Sequence, residues 1–260
     1  RERTFDDVLP NVNAVWRFND VSSVYASYAE SLTLPRTDNL YTVLYNDAGD
    51  LISPIVNPEK SKTYDAGYRY QTSALIASAN NRILSAYDPN TDISTDRNVG
   101  DVDMYGFDAQ IGYSPIESLS FYASASYTDS EIQNDYNSGA STVIPTGGKT
   151  IVEVPDWTFV LSANYTNGPL RAGIQARYVG ERWLTDVNDL AVPAYTVVNA
   201  NARFDLGYFG FEGTSAQINV INLFDEQYFG SLGTGTSSTS SLFASQGAPR
   251  TVQASIRYAF

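Results

Sequence analysis

Apolar and polar residues alternate one by one along most of this chain, which predicts strands with one apolar and one polar face. At 250–260 the apolar set is Val252, Ala254, Ile256, Tyr258 and Phe260, against Thr251, Gln253, Ser255 and Arg257. At 11–18 it is Val12, Ala14, Trp16 and Phe18, and at 61–72 it is Tyr64, Ala66, Tyr68 and Tyr70 against Asp65, Gly67, Arg69 and Gln71. Segment 102–114 sets Tyr105, Phe107, Ala109, Ile111 and Tyr113 against Gly106, Asp108, Gln110 and Gly112. The same pattern runs through 119–132, 156–166, 170–183 and 195–206. Segments 22–32, 74–87 and 215–226 carry strand signals without a clean phase, so eleven strands are expected in all.

Two regularities say what these strands face. Aromatics sit near the ends of the apolar faces with small residues between them, as in Trp157/Tyr165 and Phe121/Tyr127, the arrangement of aromatic girdles at two membrane interfaces. Connections alternate between short (19–21, 71–74, 115–118, 167–169, 207–214) and long (33–60, 88–101, 133–154, 184–194, 227–249), as between the two rims of an outer-membrane barrel. The predicted class is therefore all-β, a transmembrane antiparallel β-barrel. Charge agrees: Arg17, Asp65, Arg69, Asp108, Arg171, Arg177, Arg203, Asp205 and Arg257 all fall on polar faces. An Arg or Lys facing mid-bilayer would cost about 2 to 4 kcal/mol. Any amphipathic strand keeps charge on its wet side, so this supports the face assignment more than the membrane itself.

Composition narrows the chemistry. The 260 residues hold 19 Tyr, 12 Phe and 3 Trp, but no Cys and no His. Disulfides, thiolate metal sites, Ser-His-Asp catalysis and imidazole ligation are thereby excluded, and no enzyme activity, cofactor or metal is expected. No run reaches the roughly 18 to 20 apolar residues of a spanning helix. A net charge of -13 argues against a nucleic-acid partner. The long loops carry twelve acids, among them Asp38, Asp88, Asp92, Asp186 and Asp189, against Arg36, Lys60, Arg97 and Lys149. Such loops suit a lipopolysaccharide surface bridged by divalent cations. The run from Asp88 to Asp92 resembles a calcium loop but lacks its Gly and closing Glu, and reads as a solvated acidic loop. The opening at Arg1 shows no signal peptide and leads straight into a strand, the mark of a mature chain or a fragment.

Residues 218–230 carry Asn222, Leu223, Phe224, Asp225 and Tyr228, followed by a Gly/Ser/Thr-rich loop and a terminal strand ending in Phe260. This resembles the C-terminal end of a TonB-dependent outer-membrane transporter. Three further stretches agree: 25–35 from Tyr25 to Pro35, 58–68 from Pro58 to Tyr68, and Val154-Pro155-Asp156-Trp157 entering a strand. The resemblance implies a barrel of about 22 strands, plugged by an N-terminal domain, that imports a scarce ligand with force relayed by the TonB complex. It also implies a cell outer-membrane location, outer-membrane lipid as surroundings, and assembly by the barrel assembly machinery, with Tyr258 and Phe260 as the assembly signal.

This chain departs from that pattern. Eleven strands are half the family's barrel, no plug or TonB box is visible, and lipid tolerates no open sheet edge. The plug domain and N-terminal strands are therefore expected upstream of Arg1 or on another chain. Before Asn81, Arg82 and Ile83 the family has a longer aromatic strand, so residues are expected to be missing near Ala79.

The leading function is active uptake of a small-molecule ligand, a ferric siderophore first, with a carbohydrate or other nutrient as the alternative. Loop candidates for ligand contact are Tyr41, Tyr45, Tyr87, Tyr136, Trp183 and Phe243. Lumen candidates are Arg17, Arg69, Arg171, Arg177, Arg203 and Arg257, which contact the plug or the passing ligand or pair structurally with lumen carboxylates. A passive porin-like channel shares the barrel but needs no plug. A barrel enzyme would need a dyad without His, and a soluble β-sandwich binding module would partition into buffer without detergent.

Overall fold

The alternation builds strands because successive side chains of an extended chain leave opposite faces, and both faces find an environment that suits them. The structure, a computed structural model, describes residues 6–19, 22–35, 44–45, 51–52, 57–69, 72–80, 83–88, 93–98, 100–138, 142–240 and 242–258; at 19, 44–45, 51–52, 69–98 and 136–142 only the backbone is described. Eleven long strands hydrogen-bond to one another in chain order. They are β1 (Asn11–Asn19), β2 (Ser22–Thr33), β3 (Glu59–Arg69), β4 (Thr72–Asn80), β5 (Val102–Ile116), β6 (Leu119–Ile132), β7 (Trp157–Asn167), β8 (Leu170–Val179), β9 (Tyr195–Asp205), β10 (Thr214–Ile221) and β11 (Thr251–Tyr258). Each of the five long loops carries a two-stranded hairpin: Leu44–Tyr45 with Leu51–Ile52, Ile83–Asp88 with Ile93–Asn98, Tyr136–Ser138 with Thr142–Ile144, Arg182–Trp183 with Ala191–Val192, and Phe229–Gly233 with Phe243–Gln246.

Contacts divide the chain into two units. The first comprises 1–106, 129–151 and 186–188; the second comprises 107–128, 152–185 and 189–260. In the first, β1, β2, β3 and β4 pair antiparallel, and apolar residues meet apolar residues across the ladders: Ala14 opposite Ala26 opposite Ala66 opposite Ala74, and Tyr28 opposite Tyr64 opposite Ile76. The β3–β4 ladder runs without a register shift from Tyr68 opposite Thr72 to Lys60 opposite Asn80. In the second, one such row crosses Ala123, Leu161, Ala176 and Val198, and another crosses Leu170, Phe204, Ala216 and Ile256. A one-residue slip would reverse both faces of a strand, so these continuous rows fix the register.

The apolar rows are open to the surroundings: Leu161 is 58% exposed and Ile256 75%. A water-soluble protein does not present a face of this extent to solvent. Buried apolar side chains lie instead toward the long loops, at Val102 and Ile132 in the first unit and at Val179, Leu184, Val192 and Val197 in the second. Beyond the aromatic row, toward the long loops, the same outward face turns charged. Glu30 stands opposite Lys62 one step past Tyr28 and Tyr64, and Asp129 receives the hydroxyl of Tyr105. The strands thus outrun the apolar band, and the aromatics mark its edge, with rings of Tyr127 and Trp157 4.8 Å apart and Trp157 and Phe159 5.3 Å apart.

Four strand expectations are too long, the first being 61–72, which ends at Arg69 while Thr72 opens the next strand. The segment expected at 74–87 divides at Asn80, and Ile83–Asp88 joins a loop hairpin. The one expected at 170–183 stops at Val179, and Arg182–Trp183 joins a loop hairpin with Ala191–Val192. The one expected at 215–226 stops at Ile221, because Asn222 adopts the left-handed conformation at φ 54°.

Candidate functional site

Two surfaces carry the chemistry: the tied long loops and the polar face of the strands. In the second unit the loop anchor is Asn222, which is fully buried. Its side-chain oxygen accepts the Glu226 amide at 2.8 Å, and its amide nitrogen donates to the carbonyls of Glu226 at 2.8 Å and Ala248 at 3.0 Å. Its own backbone N–H donates to the side chain of Asn199 on β9 at 2.9 Å. Three residues on, Asp225 accepts the Arg250 amide at 2.8 Å. Asn222 and Asp225 both sit at positive φ, a conformation that Asn and Asp tolerate better than most residues. The Asn-Leu-Phe-Asp element is therefore a staple that joins the end of β10 to the approach to β11.

Tyr228 completes it. Its ring stacks on Tyr195 with centroids 4.5 Å apart, and the guanidinium of Arg182 lies 5.7 Å from the Tyr195 centroid while donating to the Phe229 carbonyl at 3.0 Å. Tyr228 also lies across Gly247 so closely that a Cβ there would stand 2.0 Å from the ring. A second tie is Asp189, which accepts the Thr185 hydroxyl at 2.7 Å, the Ser238 hydroxyl at 2.7 Å and the Ser238 amide at 3.0 Å. Those bonds, Ser238 first and then Thr185, hold its carboxyl below the ordinary carboxylate value. In the first unit Asn188 exchanges two hydrogen bonds with the backbone of Thr150, at 2.7 and 2.9 Å. Sequence reasoning missed Thr185, Asn188, Asp189, Arg182 and Asn199. The run from Thr185 to Asp189 did carry a cue, since Asp, Asn and Thr crowded into a short connection favour side-chain-to-backbone turns.

Among the loop candidates, Trp183 is half-buried in its hairpin, where its carbonyl accepts the Glu153 amide at 2.9 Å. Phe243 is exposed. No ring contact joins the two among the described residues. Tyr41 lies outside the described residues; Tyr45, Tyr87 and Tyr136 are in hairpin strands, with side chains outside the description.

The polar face of the strands gathers the arginines. Arg171 stands directly opposite Arg203, Arg203 opposite Gln217, and Ser215 opposite Arg257, all on the polar face. Arg177 is opposite Val197 on the same face. In the first unit Arg17 and Arg69 flank Ser23 in register, and the Arg69 side chain lies outside the description. Asp108 is engaged by the Ser126 hydroxyl at 2.5 Å, and Asp205 accepts the Gly207 amide at 2.9 Å. Tyr258 is exposed at the end of β11 on the apolar face, and Phe260 lies outside the described residues.

An antiparallel sheet in chain order, with an exposed apolar face edged by aromatics, short turns at one end and hairpin-bearing loops at the other, is the wall of an outer-membrane β-barrel. A family model described as TonB dependent receptor-like, beta-barrel, matches residues 1–223, and the chain belongs to that family. Such receptors bind a ligand and work with TonB, and their place is the outer membrane of Gram-negative bacteria.

The chain is 26% identical to the ferrioxamine receptor of Yersinia enterocolitica, over 100% of this chain and 34% of that protein. It is 29% identical to the ferrichrome outer membrane transporter/phage receptor of Escherichia coli K12, over 68% of this chain and 24% of that protein. The siderophore receptor PiuA from Acinetobacter baumannii shares the fold with a TM-score of 0.69 at 22% identity, over 95% of this chain and 35% of that one. The chain thus spans about a third or less of the length of these relatives.

Proposed function

We propose that this chain is a stretch of the barrel wall of a TonB-dependent siderophore transporter. The observation that carries the reading is the family match over residues 1–223 together with relatives that are ferrioxamine and ferrichrome receptors. In this reading the plug domain, the TonB-contacting segment and the remaining strands belong to other parts of the full-length protein. The barrel moves a ligand and catalyses no reaction.

Charge guides the choice of ligand. Three singly charged chelating groups neutralise Fe3+, whereas three doubly charged ones leave a 3- complex. The long loops hold twelve acids against four bases, a field that opposes the anionic complex and accepts the neutral one. Ferric ferrioxamine and ferrichrome are therefore the first ligands to test and a catecholate complex the contrast. Trp183 and Phe243 are proposed as loop contacts, together with Tyr41, Tyr45, Tyr87 and Tyr136. Arg17, Arg69, Arg171, Arg177, Arg203 and Arg257 line the lumen, where they meet plug carboxylates or the moving chelate. Tyr258 and Phe260 serve the barrel assembly machinery.

The test is uptake of radioactive iron, supplied as each chelate, into cells that express the full-length protein as their sole siderophore receptor, with and without TonB. TonB-dependent uptake of ferrioxamine or ferrichrome is expected. Uptake of none of the ferric chelates, or uptake indifferent to TonB, overturns the reading.

A further inference from the structure

The connection between β9 and β10 is short, yet it carries three large apolar side chains in the open: Tyr208 at 73% exposure, Phe209 at 64% and Phe211 at 64%. It is also tightly built. Residues Leu206–Phe209 form a 3-10 turn, Asp205 caps its start by accepting the Gly207 amide, and Gly210 closes it at φ 89° with its N–H bonded to the carbonyls of Gly207 and Leu206. A turn that merely reverses the chain needs none of this aromatic surface.

The ring of Phe209 is held toward the lipid side. Phe204 belongs to the apolar row with Leu170, Ala216 and Ile256, and the ring of Phe209 stacks on it with centroids 5.6 Å apart and planes 18° apart. Tyr208 then meets Phe209 edge-on at 5.5 Å. Beside them the apolar face forms a groove of about 710 Å³, walled by Leu170, Phe204, Ile218 and Ile256 and floored by Ala216 and Ala254. Aromatic rings are favoured where acyl chains give way to headgroups, and Phe204 belongs both to the groove and to the stack with Phe209.

We propose that the β9–β10 turn is an interfacial anchor, in which Tyr208, Phe209 and Phe211 insert among the phospholipids of the leaflet at the short-turn rim, against acyl chains lying in the adjacent groove. The proposal rests on the outer-membrane placement of the barrel and is independent of the ligand transported. It gives this rim a fixed depth in the membrane, set by a rigid turn in addition to the strand girdles.

The chain contains no Cys, so single cysteines can be introduced and labelled without interference from it. Full-length protein, with any cysteine elsewhere replaced by serine, is prepared as Phe209→Cys and Phe211→Cys, each bearing a nitroxide. It is reconstituted in vesicles of phosphatidylethanolamine and phosphatidylglycerol. Collision with dissolved oxygen, which concentrates in lipid, is compared with collision with a water-soluble nickel chelate. Leu161→Cys serves as the lipid control and Phe243→Cys as the aqueous one.

Oxygen is expected to dominate at 209 and 211, at a shallower depth than at 161. Dominance of the nickel chelate at both positions overturns the anchor, as does protection from both reagents, which would mean that polypeptide covers the turn. If Leu161 is also nickel-accessible, the membrane placement itself has failed. Should either cysteine variant not fold, as judged by heat-modifiable gel mobility, Tyr208→Cys gives the same readout.

Discussion

Replacing Asn222 with Ala isolates the staple at the end of β10. The substitution leaves the backbone bond from residue 222 to Asn199 intact and removes three side-chain hydrogen bonds, one from the Glu226 amide and two to the carbonyls of Glu226 and Ala248. At about 1 kcal/mol each these sum to about 3 kcal/mol. Holding Ala at φ 54° adds about 1 kcal/mol. Glu226 and Ala248 are exposed, so water satisfies part of what they lose, and the expected net cost is about 2 to 4 kcal/mol. Asn222→Gly relieves the backbone term alone and should fall about 1 kcal/mol short of the Ala cost. Asn222→Asp keeps the acceptor but points a second oxygen at two carbonyls, and should be no better than Ala. The readouts are urea unfolding in lipid vesicles and hydrogen exchange at the amides of Glu226 and Arg250, which the staple protects. An Asn222→Ala protein within about 0.5 kcal/mol of the parent, with both amides still protected, would refute the role assigned to this residue.

Leu161→Arg should cost about 2 to 4 kcal/mol in vesicle unfolding while Ser162→Arg, one residue on and on the polar face, stays within about 1 kcal/mol; equal costs would mean that the faces are misassigned. Asp189 is held below its ordinary value of 3.8, so its contribution to loop closure is fully present well above that value and is lost as pH falls through the depressed one. Exchange at the Ser238 amide should therefore be flat from pH 7 to about 5 after correction for intrinsic rates and rise only in stronger acid, and Asp189→Asn should remove that acid dependence. Arg203→Glu turns the like-charged pair with Arg171 into an opposite one, and this should stabilise the barrel by about 0.2 to 1 kcal/mol in thermal melting. A fall in melting temperature would show that Arg203 already pairs with an acid elsewhere in the full-length protein. Gly247→Ala must displace the Tyr228 ring, and loss of the Tyr195 stack should be visible in near-ultraviolet circular dichroism; an unchanged spectrum would count against the close packing described.

Strand faces were legible because each environment accepts one kind of residue. Lipid rejects charge, so Leu161, Ala176 and Val198 could not change places with Ser162, Arg177 and Asn199, and period-two alternation read the wall residue by residue. Strand ends were less legible because the outward face stays two-sided beyond the membrane. Glu30 and Lys62 keep the alternation going after the aromatic row, and no polarity change marks where a ladder stops and a loop hairpin begins. What ends β10 is local geometry, the left-handed Asn222, which does not alter the hydrophobic pattern.

The loops follow a different rule again. Asp189, Thr185 and Ser238 converge from segments 49 residues apart in sequence, so their pairing depends on which hairpins stand next to each other. That adjacency is supplied by the ladder of β9 with β10, which sets the hairpin between β8 and β9 beside the one between β10 and β11. The residues that tie the loops could therefore be read only after the sheet was in place. The Asn-Leu-Phe-Asp element links the two levels, since it is both the stretch on which the sequence resemblance rests and the staple that carries sheet order into loop order. The conservative substitution Asn222→Asp should accordingly disturb loop function more than its small change in shape suggests, even where the eleven strands still assemble.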